Sequence, residues 1–463
     1  MPASAKKQEL SFFKRYLWWH YYAFSGVSHG VKRRVTWHGW FLMVAFFALG
    51  LMAVDPSVNV AYQGIVFLAL VLGLAPFLSY ASRSRFSASR RLPRYGSVGS
   101  ELVYTVTVTN ERKKTQRGVF IGEDLPDPRP SYPEFALVAE PEEESRNWWD
   151  RRYLFYRWMW LIDQRLRADV KESPCSDLAP QDTADVPMRM TPTRRGMLRL
   201  ERISVACPDP FGLFRSLVKV DCADQVLILP KRYPVSPLAL PGAEKYQQGG
   251  VSLASSIGES EEFVSLRDYR PGDPMKKIHW PSWARTGRPI VKEFVAEFFV
   301  RHGLILDTFT DQPYGAAFEE AVSVAASFAC TLKDRDTLLD LMVVGPQAFK
   351  FTLGRGVGHI EKLLEVLAGV QACLDRSFAV LENLAMRHAR ELSGCLCVFL
   401  SWDEERQLLV KRLRQMRIPV RVLVVRSPDD QADLEPGPLA DEPANLISLN
   451  TDRIAEDLAK LES

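Results

Sequence analysis

The stretch Arg267 to Lys292, RDYRPGDPMKKIHWPSWARTGRPIVK, divides the chain into two unlike halves. Before it lie long apolar runs and alternating β-branched segments; after it, apolar strands alternate with amphipathic helices. Pro271-Gly272 sets a turn, Asp273 suits a helix N-cap and Pro274 suits the first helical position. A short helix is therefore expected from Pro274, broken or kinked at Pro281, with Gly287 closing the next turn and an apolar strand from Ile290 onward. Arg267, Arg270, Lys276, Lys277, Arg285, Arg288 and Lys292 outnumber Asp268 and Asp273, with Trp280 and Trp283 among them. Residues 258–299 thus read as a latch between two domains. One reading makes Arg267, Arg270, Gly272, Asp273, Trp280 and Arg285 a partner-binding surface, because Arg and Trp anchor interfaces. The other makes them an internal brace, with Asp273 paired to Arg270 or Arg285 and Trp280 filling the domain junction.

The run RDYRPGD, then IHW, AR and VKEF, resembles the signature of the domain of unknown function 58 (DUF58) family, membrane-associated bacterial proteins often encoded beside MoxR-type AAA ATPases. RRGMLRL (194–200) and DPFGLF (209–214) resemble the family's pattern upstream, so the likeness runs from about residue 92 onward. The resemblance implies a MoxR-type AAA ATPase as partner and, more remotely, a transglutaminase-like protein. It implies no reaction.

A chain of 463 residues is long enough for two or three domains. Its formal charge of +3 argues against a bulk nucleic-acid binder. The seven cysteines, Cys175, Cys207, Cys222, Cys330, Cys373, Cys395 and Cys397, are odd in number and lack paired CxxC spacing. They indicate neither a disulfide framework nor a zinc site, and they fit a reducing compartment.

Residues 37–54 and 58–81 carry no formal charge, and each is long enough to cross a bilayer as a helix. Asp55-Pro56-Ser57 between them permits only a tight turn, so 37–81 reads as a transmembrane hairpin. Lys32, Arg33 and Arg34 precede it; Arg83, Arg85, Arg90, Arg91 and Arg94 follow it. The positive-inside rule then places both flanks in the cytoplasm of a bacterial inner membrane. Residues 1–36, rich in Phe, Trp and Tyr beside Lys14 and Arg15, read as an interfacial segment against membrane lipid.

Residues 92–235 read as a small β-sandwich. LVYTVTVT (102–109) alternates, and Arg195-Gly196 and the turn from Asp209 to Gly212 separate hairpin strands. An insertion at 126–180 concentrates Trp148, Trp149, Trp158 and Trp160 with Tyr153, Phe155 and Tyr156. It serves either as a protein or membrane contact or as a helix covering an open face of the sandwich.

Residues 300–463 alternate strand and helix, which predicts a mostly parallel sheet covered on both faces. Such sheets present ligand sites at the carboxyl ends of their strands, where Asp307, Ser401 and Asp403 fall. The domain resembles the von Willebrand factor A type, whose Asp-x-Ser-x-Ser loop holds a divalent ion. Here Asp307 keeps the first acid, but Phe309 and Asp311 replace the hydroxyl ligands, and Phe309 supplies no oxygen. Loss of the metal is the expected outcome, with acids capping turns and helices instead. No catalytic constellation stands out. His279 lies among Lys276, Lys277 and Trp280, and the glycine-rich loop at Gly354 to Gly358 lacks the lysine of a phosphate-binding loop. The expected function is a membrane-anchored scaffold or adaptor, not an enzyme and without a cofactor; the alternative is a metal-dependent enzyme using Asp307, Asp311 and Asp403.

Overall fold

The computed structural model describes residues 12–52, 59–81, 84–235, 263–273, 275–294, 300–310, 315–331, 337–345, 348–353, 357–428, 430 and 434–460. Pro274, the proposed helix start, lies outside them, as do Asp55-Pro56-Ser57, Arg83, Asp311 and most of the glycine-rich loop. The chain forms two units, Met1–Lys231 and Arg232–Ser463.

In the first unit, helix α1 (Phe12–Arg34) is followed after two residues by α2 (Trp37–Met52), and then by α3 (Asn59–Ala81). Among the described residues one helix, over Tyr62–Tyr80 within α3, is long and apolar enough to cross a membrane; the apolar part of α2, Trp37–Leu51, is shorter. The two pack on each other, closely enough at Gly64 that a Cβ would lie 3.3 Å from Leu49 Cδ1. Of the two expected spans, one is long enough to cross a membrane among the described residues.

Two sheets follow. One has the order β1 (Phe86–Arg91), β3 (Leu102–Asn110), β7 (Thr183–Pro192), β5 (Ala168–Lys171). The other runs β2 (Tyr95–Ser97), β9 (Arg215–Leu229), β8 (Gly196–Pro208), β4 (Phe120–Asp124), β6 (Ser173–Pro174). All pairings are antiparallel except β2 with β9. Alternation along β3 sends Tyr104, Val106 and Val108 inward against Ile203, Val205 and Ile228 of the second sheet, giving a sandwich with one apolar core. Inside it the side chain of Arg90 on β1 is fully buried. It donates to both carboxylate oxygens of Glu123 on β4 (3.0 and 2.9 Å) and to Asp224 on β9 (3.0 Å), while Tyr104 Oη donates to Glu123 at 2.8 Å. The network ties one sheet to the other, and burial raises the pKa of Tyr104, helped by the Glu123 charge.

The aromatic insertion is shorter than expected, because β5 and β6 belong to the sandwich. It forms α4 (Tyr132–Leu137), α5 (Trp148–Tyr153) and α6 (Phe155–Arg165), and its apolar side meets α1. Phe135, Leu154, Trp158 and Leu161 share a core with Leu17, and partly buried Trp18, Tyr21 and Tyr22 pack on it. Trp18 Nε1 donates to Pro130 O (3.0 Å) and Tyr21 Oη to Tyr153 O (2.9 Å).

The link between α1 and α2 is held by the β8–β9 turn. Thr36 donates from Oγ1 to Gly212 O at 2.7 Å and from its amide to Leu213 O at 3.0 Å. Gly39 fits because it has no side chain: a Cβ there would lie 2.4 Å from Leu213 O.

In the second unit, β10 (Phe263–Asp268) and β11 (Ile290–Phe294) form an antiparallel pair. Between them lie a 3-10 turn, Met275–Lys277, and α7 (Trp280–Thr286). Pro281 does not break a helix but sits in the first turn of α7, where the missing N–H costs no helical hydrogen bond. Gly287, at φ +69°, ends the helix.

The remaining strands form a six-stranded sheet ordered β14 (Ala348–Leu353), β13 (Thr337–Val344), β12 (Val300–Leu306), β15 (Gly394–Phe399), β16 (Val420–Arg426), β17 (Leu446–Asn450). All pairs are parallel except the edge strand β14. Connecting helices are α8 (Ala316–Thr331), α9 (Val357–Gly369), α10 (Ala379–His388) and α11 (Glu404–Gln415), with α12 (Ile454–Ala459) after β17. On one face Ile305, Met342, Cys395, Cys397 and Val422 pack with Leu381 and Ala385 of α10 and Leu409 and Leu413 of α11. α8 lies across β12, β15 and β16. Every residue of β15 is buried, as a sheet covered on both faces requires.

Candidate functional site

β12 and β15 are neighbours, yet their following connections run to opposite sides of the strand order, β13 and β16. Open α/β sheets place ligand sites at the carboxyl ends of the strands beside such a switch point. Asp307 lies there, fully buried, one residue past β12. Its Oδ1 accepts from the Phe309 amide (2.9 Å), and its Oδ2 accepts from the Leu400 amide after β15 (3.2 Å). The same Oδ2 takes Arg406 Nε at 3.0 Å and lies 3.0 Å from its Nη2. Burial pushes the Asp307 carboxyl pKa up, and the Arg406 charge and the two amides pull against it.

Arg406 comes from α11. Asp403 caps that helix, accepting from the Arg406 amide at 3.1 Å, and its other oxygen takes Arg406 Nη1 at 2.5 Å. Ser401 Oγ donates to the same oxygen at 3.2 Å. The guanidinium lies over the Phe378 ring, 4.4 Å from its centroid. One buried arginine therefore bridges Asp307 and Asp403, two of the three acids that the sequence offered as metal ligands. Phe309 packs edge-on against Phe378 at 5.7 Å, making an apolar wall where the loop would otherwise offer an oxygen.

These residues do not fit a divalent cation. Asp307 already holds a full set of donors, and a cation placed between Asp307 and Asp403 would meet the Arg406 charge. Among the described residues no group of three or more His, Cys, Asp or Glu side chains could hold a metal ion. Arg406 escaped sequence reasoning. Its spacing of three from Asp403 hinted at a helix-start pair, but nothing local linked it to an acid 99 residues earlier.

The latch gathers the other expected residues. Arg267 grips Asp273 through two hydrogen bonds of 2.7 Å, and the Arg270 amide adds a third at 2.9 Å. These bonds hold the Asp273 carboxyl down at about 2. Its partner is thus Arg267, not the side chains of Arg270 or Arg285, because Arg267 and Asp273 flank a tight turn closed by Gly272 at φ +106°. His279 Nδ1 lies 2.6 Å from Ser282 Oγ, and the His279 amide donates to Ile290 O, so this histidine anchors α7 to β11. Trp280 is 61% exposed and stacks on Trp283 at 5.2 Å. In the same segment Arg270, Lys276, Lys277, Arg285 and Arg288 are exposed. Ile278 and Val291 form the buried side instead.

Comparison with known proteins adds relatives of limited extent. The chain is 28% identical over 180 residues to an uncharacterized protein, YeaD, of Bacillus subtilis, a match covering 38% of this chain and 42% of that protein. Two solved structures of the CARDB domain of a Pyrococcus furiosus protein, one crystallographic with di-metal ions and one from solution NMR, align at 12% and 13% identity. They cover 32% and 31% of this chain and 90% and 93% of theirs, and their TM-scores of 0.17 and 0.16 carry no argument. Residues 265–432, somewhat over a third of the chain, match the family described as protein of unknown function DUF58.

Proposed function

We propose that this chain is a membrane-anchored adaptor whose second unit is a metal-free protein-binding module of the von Willebrand factor A type. The strand order, with its antiparallel edge strand β14, favours that type. The observation that carries the reading is the Arg406 bridge between Asp307 and Asp403. An internal cation supplies the charge that a metal would supply, so the strand edge is built to hold its shape without one. The latch offers the contact surface: an exposed Trp280, stacked on Trp283 in a segment with five exposed cations, suits an acidic partner with an apolar anchor. α2 and α3 provide the anchor, and the basic flanks Lys32 to Arg34 and Arg85 to Arg94 put both ends in the cytoplasm.

The family resemblance, not any contact in the structure, nominates a MoxR-type AAA ATPase as that partner. The test is affinity capture from detergent-solubilised native membranes, with and without a divalent-metal chelator, using wild type, Trp280→Ala and Arg285→Ala. An AAA ATPase that survives chelation and is lost in the variants supports the adaptor. Loss of the partner on chelation, or stoichiometric metal binding by wild type, sinks it.

A further inference from the structure

Helix α1 is aromatic on two sides, and among the described residues only one of them packs on protein. Leu17, Trp18, Tyr21 and Tyr22 face the insertion. Phe12, Tyr16, Trp19, Phe24 and Val27, spaced along a different face, are 86, 51, 59, 75 and 65% exposed. A row of large exposed aromatic side chains along one helix face marks a contact surface. On α5, docked beside it, Trp148 and Trp149 are likewise 60 and 61% exposed.

The chemistry and the connectivity choose the neighbour. Only Val35 and Thr36 separate α1 from α2, whose Trp37, Phe41 and Phe47 are exposed apolar surface. Exposed cations accompany the aromatic face: Arg15 within it and Lys32 and Arg34 at its end, whereas Arg33 turns inward to Asp124 at 3.2 Å. Trp, Tyr and Phe mixed with Arg and Lys beside an apolar span is the composition of a bilayer's headgroup layer. We propose that the outer face of α1, with Trp148 and Trp149 of α5, lies in the headgroup layer of an anionic bilayer. The unit is then seated on the membrane by an aromatic platform as well as tethered by its span. This deepens the proposed anchoring and rests on it.

The platform gives the aromatic insertion a task. Its buried side, Phe135, Trp158 and Leu161, braces α1 from behind, so that the outer aromatics are presented on a stiff support.

The test places the full chain in nanodiscs of phosphatidylglycerol and phosphatidylcholine, with or without bromine near the headgroup end of the acyl chains. Subtracting the emission of Trp19→Phe, Trp40→Phe and Trp280→Phe from wild type isolates three reporters: the platform, the span and the latch. The expected result is loss of most of the Trp19 and Trp40 emission in brominated discs, with Trp280 unaffected and quenched only by aqueous iodide. Trp40 quenched while Trp19 answers only to iodide overturns the platform and leaves the anchor standing. Trp19 shielded from both quenchers means that a second copy or another protein covers the face, which also overturns it. Trp40 untouched by bromine removes the anchor and the platform together.

Discussion

Arg406 Nε donates to Asp307 Oδ2 at 3.0 Å across 99 residues of chain, joining the start of α11 to the end of β12. Both groups are out of water, the arginine side chain 8% exposed and the aspartate 0%. An ion pair of this kind adds little over a well-packed apolar pair, but leaving one partner alone is costly.

Arg406→Ala is accordingly expected to destabilise the α/β domain by about 3–5 kcal/mol, because it strands a buried carboxylate. Removing the guanidinium also leaves Asp307 and Asp403 facing a vacated space. Millimolar divalent cation should therefore raise the thermal midpoint of Arg406→Ala and leave that of wild type unchanged. A metal-dependent rise in wild type would contradict the assignment.

Asp273 makes a pH prediction. Its carboxyl is held at about 2 against an ordinary 3.8, first by the Arg267 hydrogen bonds and then by the Arg270 amide. A depressed carboxyl stabilises the fold above its unfolded pKa and loses that contribution as pH falls through the folded one. The stability difference between wild type and Asp273→Asn should be constant above about pH 4 and shrink between about 4 and 2. A carboxyl resonance of Asp273 titrating near 3.8 would show that Arg267 does not hold it.

Two glycines give opposite expectations. Gly39→Ala would push a Cβ to within 2.4 Å of Leu213 O, so α2 must move off the β8–β9 turn, at a cost of about 1–3 kcal/mol. Gly30→Ala in α1 meets nothing within 4 Å and should gain up to about 1 kcal/mol from helix propensity. Thermal unfolding of the two variants in the same detergent separates them.

Trp158, 2% exposed, sits at the centre of the contact between the insertion and α1. Trp158→Ala should cost about 3–5 kcal/mol in that contact. Hydrogen exchange should quicken in α1 and α6 while β3 keeps its protection. Equal acceleration in β3 would mean that the insertion is part of the sandwich core.

Surface substitutions on the latch should behave differently. Trp280→Ala and Arg285→Ala remove exposed side chains and should shift stability by no more than about 0.5 kcal/mol. Any loss of partner capture in these variants then reports on recognition. A drop in midpoint comparable with that of Trp158→Ala would return Trp280 to a packing role.

Local patterns carried much of the architecture. Alternation in β3 and β7, the apolar run of α3, the strand-helix alternation after residue 300 and the turns at Gly212, Gly272 and Gly287 are all set by neighbours within a few residues. Periodicity and φ preference act over that range, so the sequence by itself determined them. The tertiary structure alone decided which partner each special residue met. Trp158 turned to α1 and Trp280 to solvent, though each lies among arginines and a second tryptophan in sequence. Asp273 took Arg267 from among several nearby arginines because the turn brought those two into register. Asp307, the one acid kept from a metal-binding loop whose metal was expected to be lost, became the counter-ion of Arg406, since the winding of the sheet brings α11 to the end of β12. A carboxylate's role follows from the cation that reaches it, and that distance is settled in space.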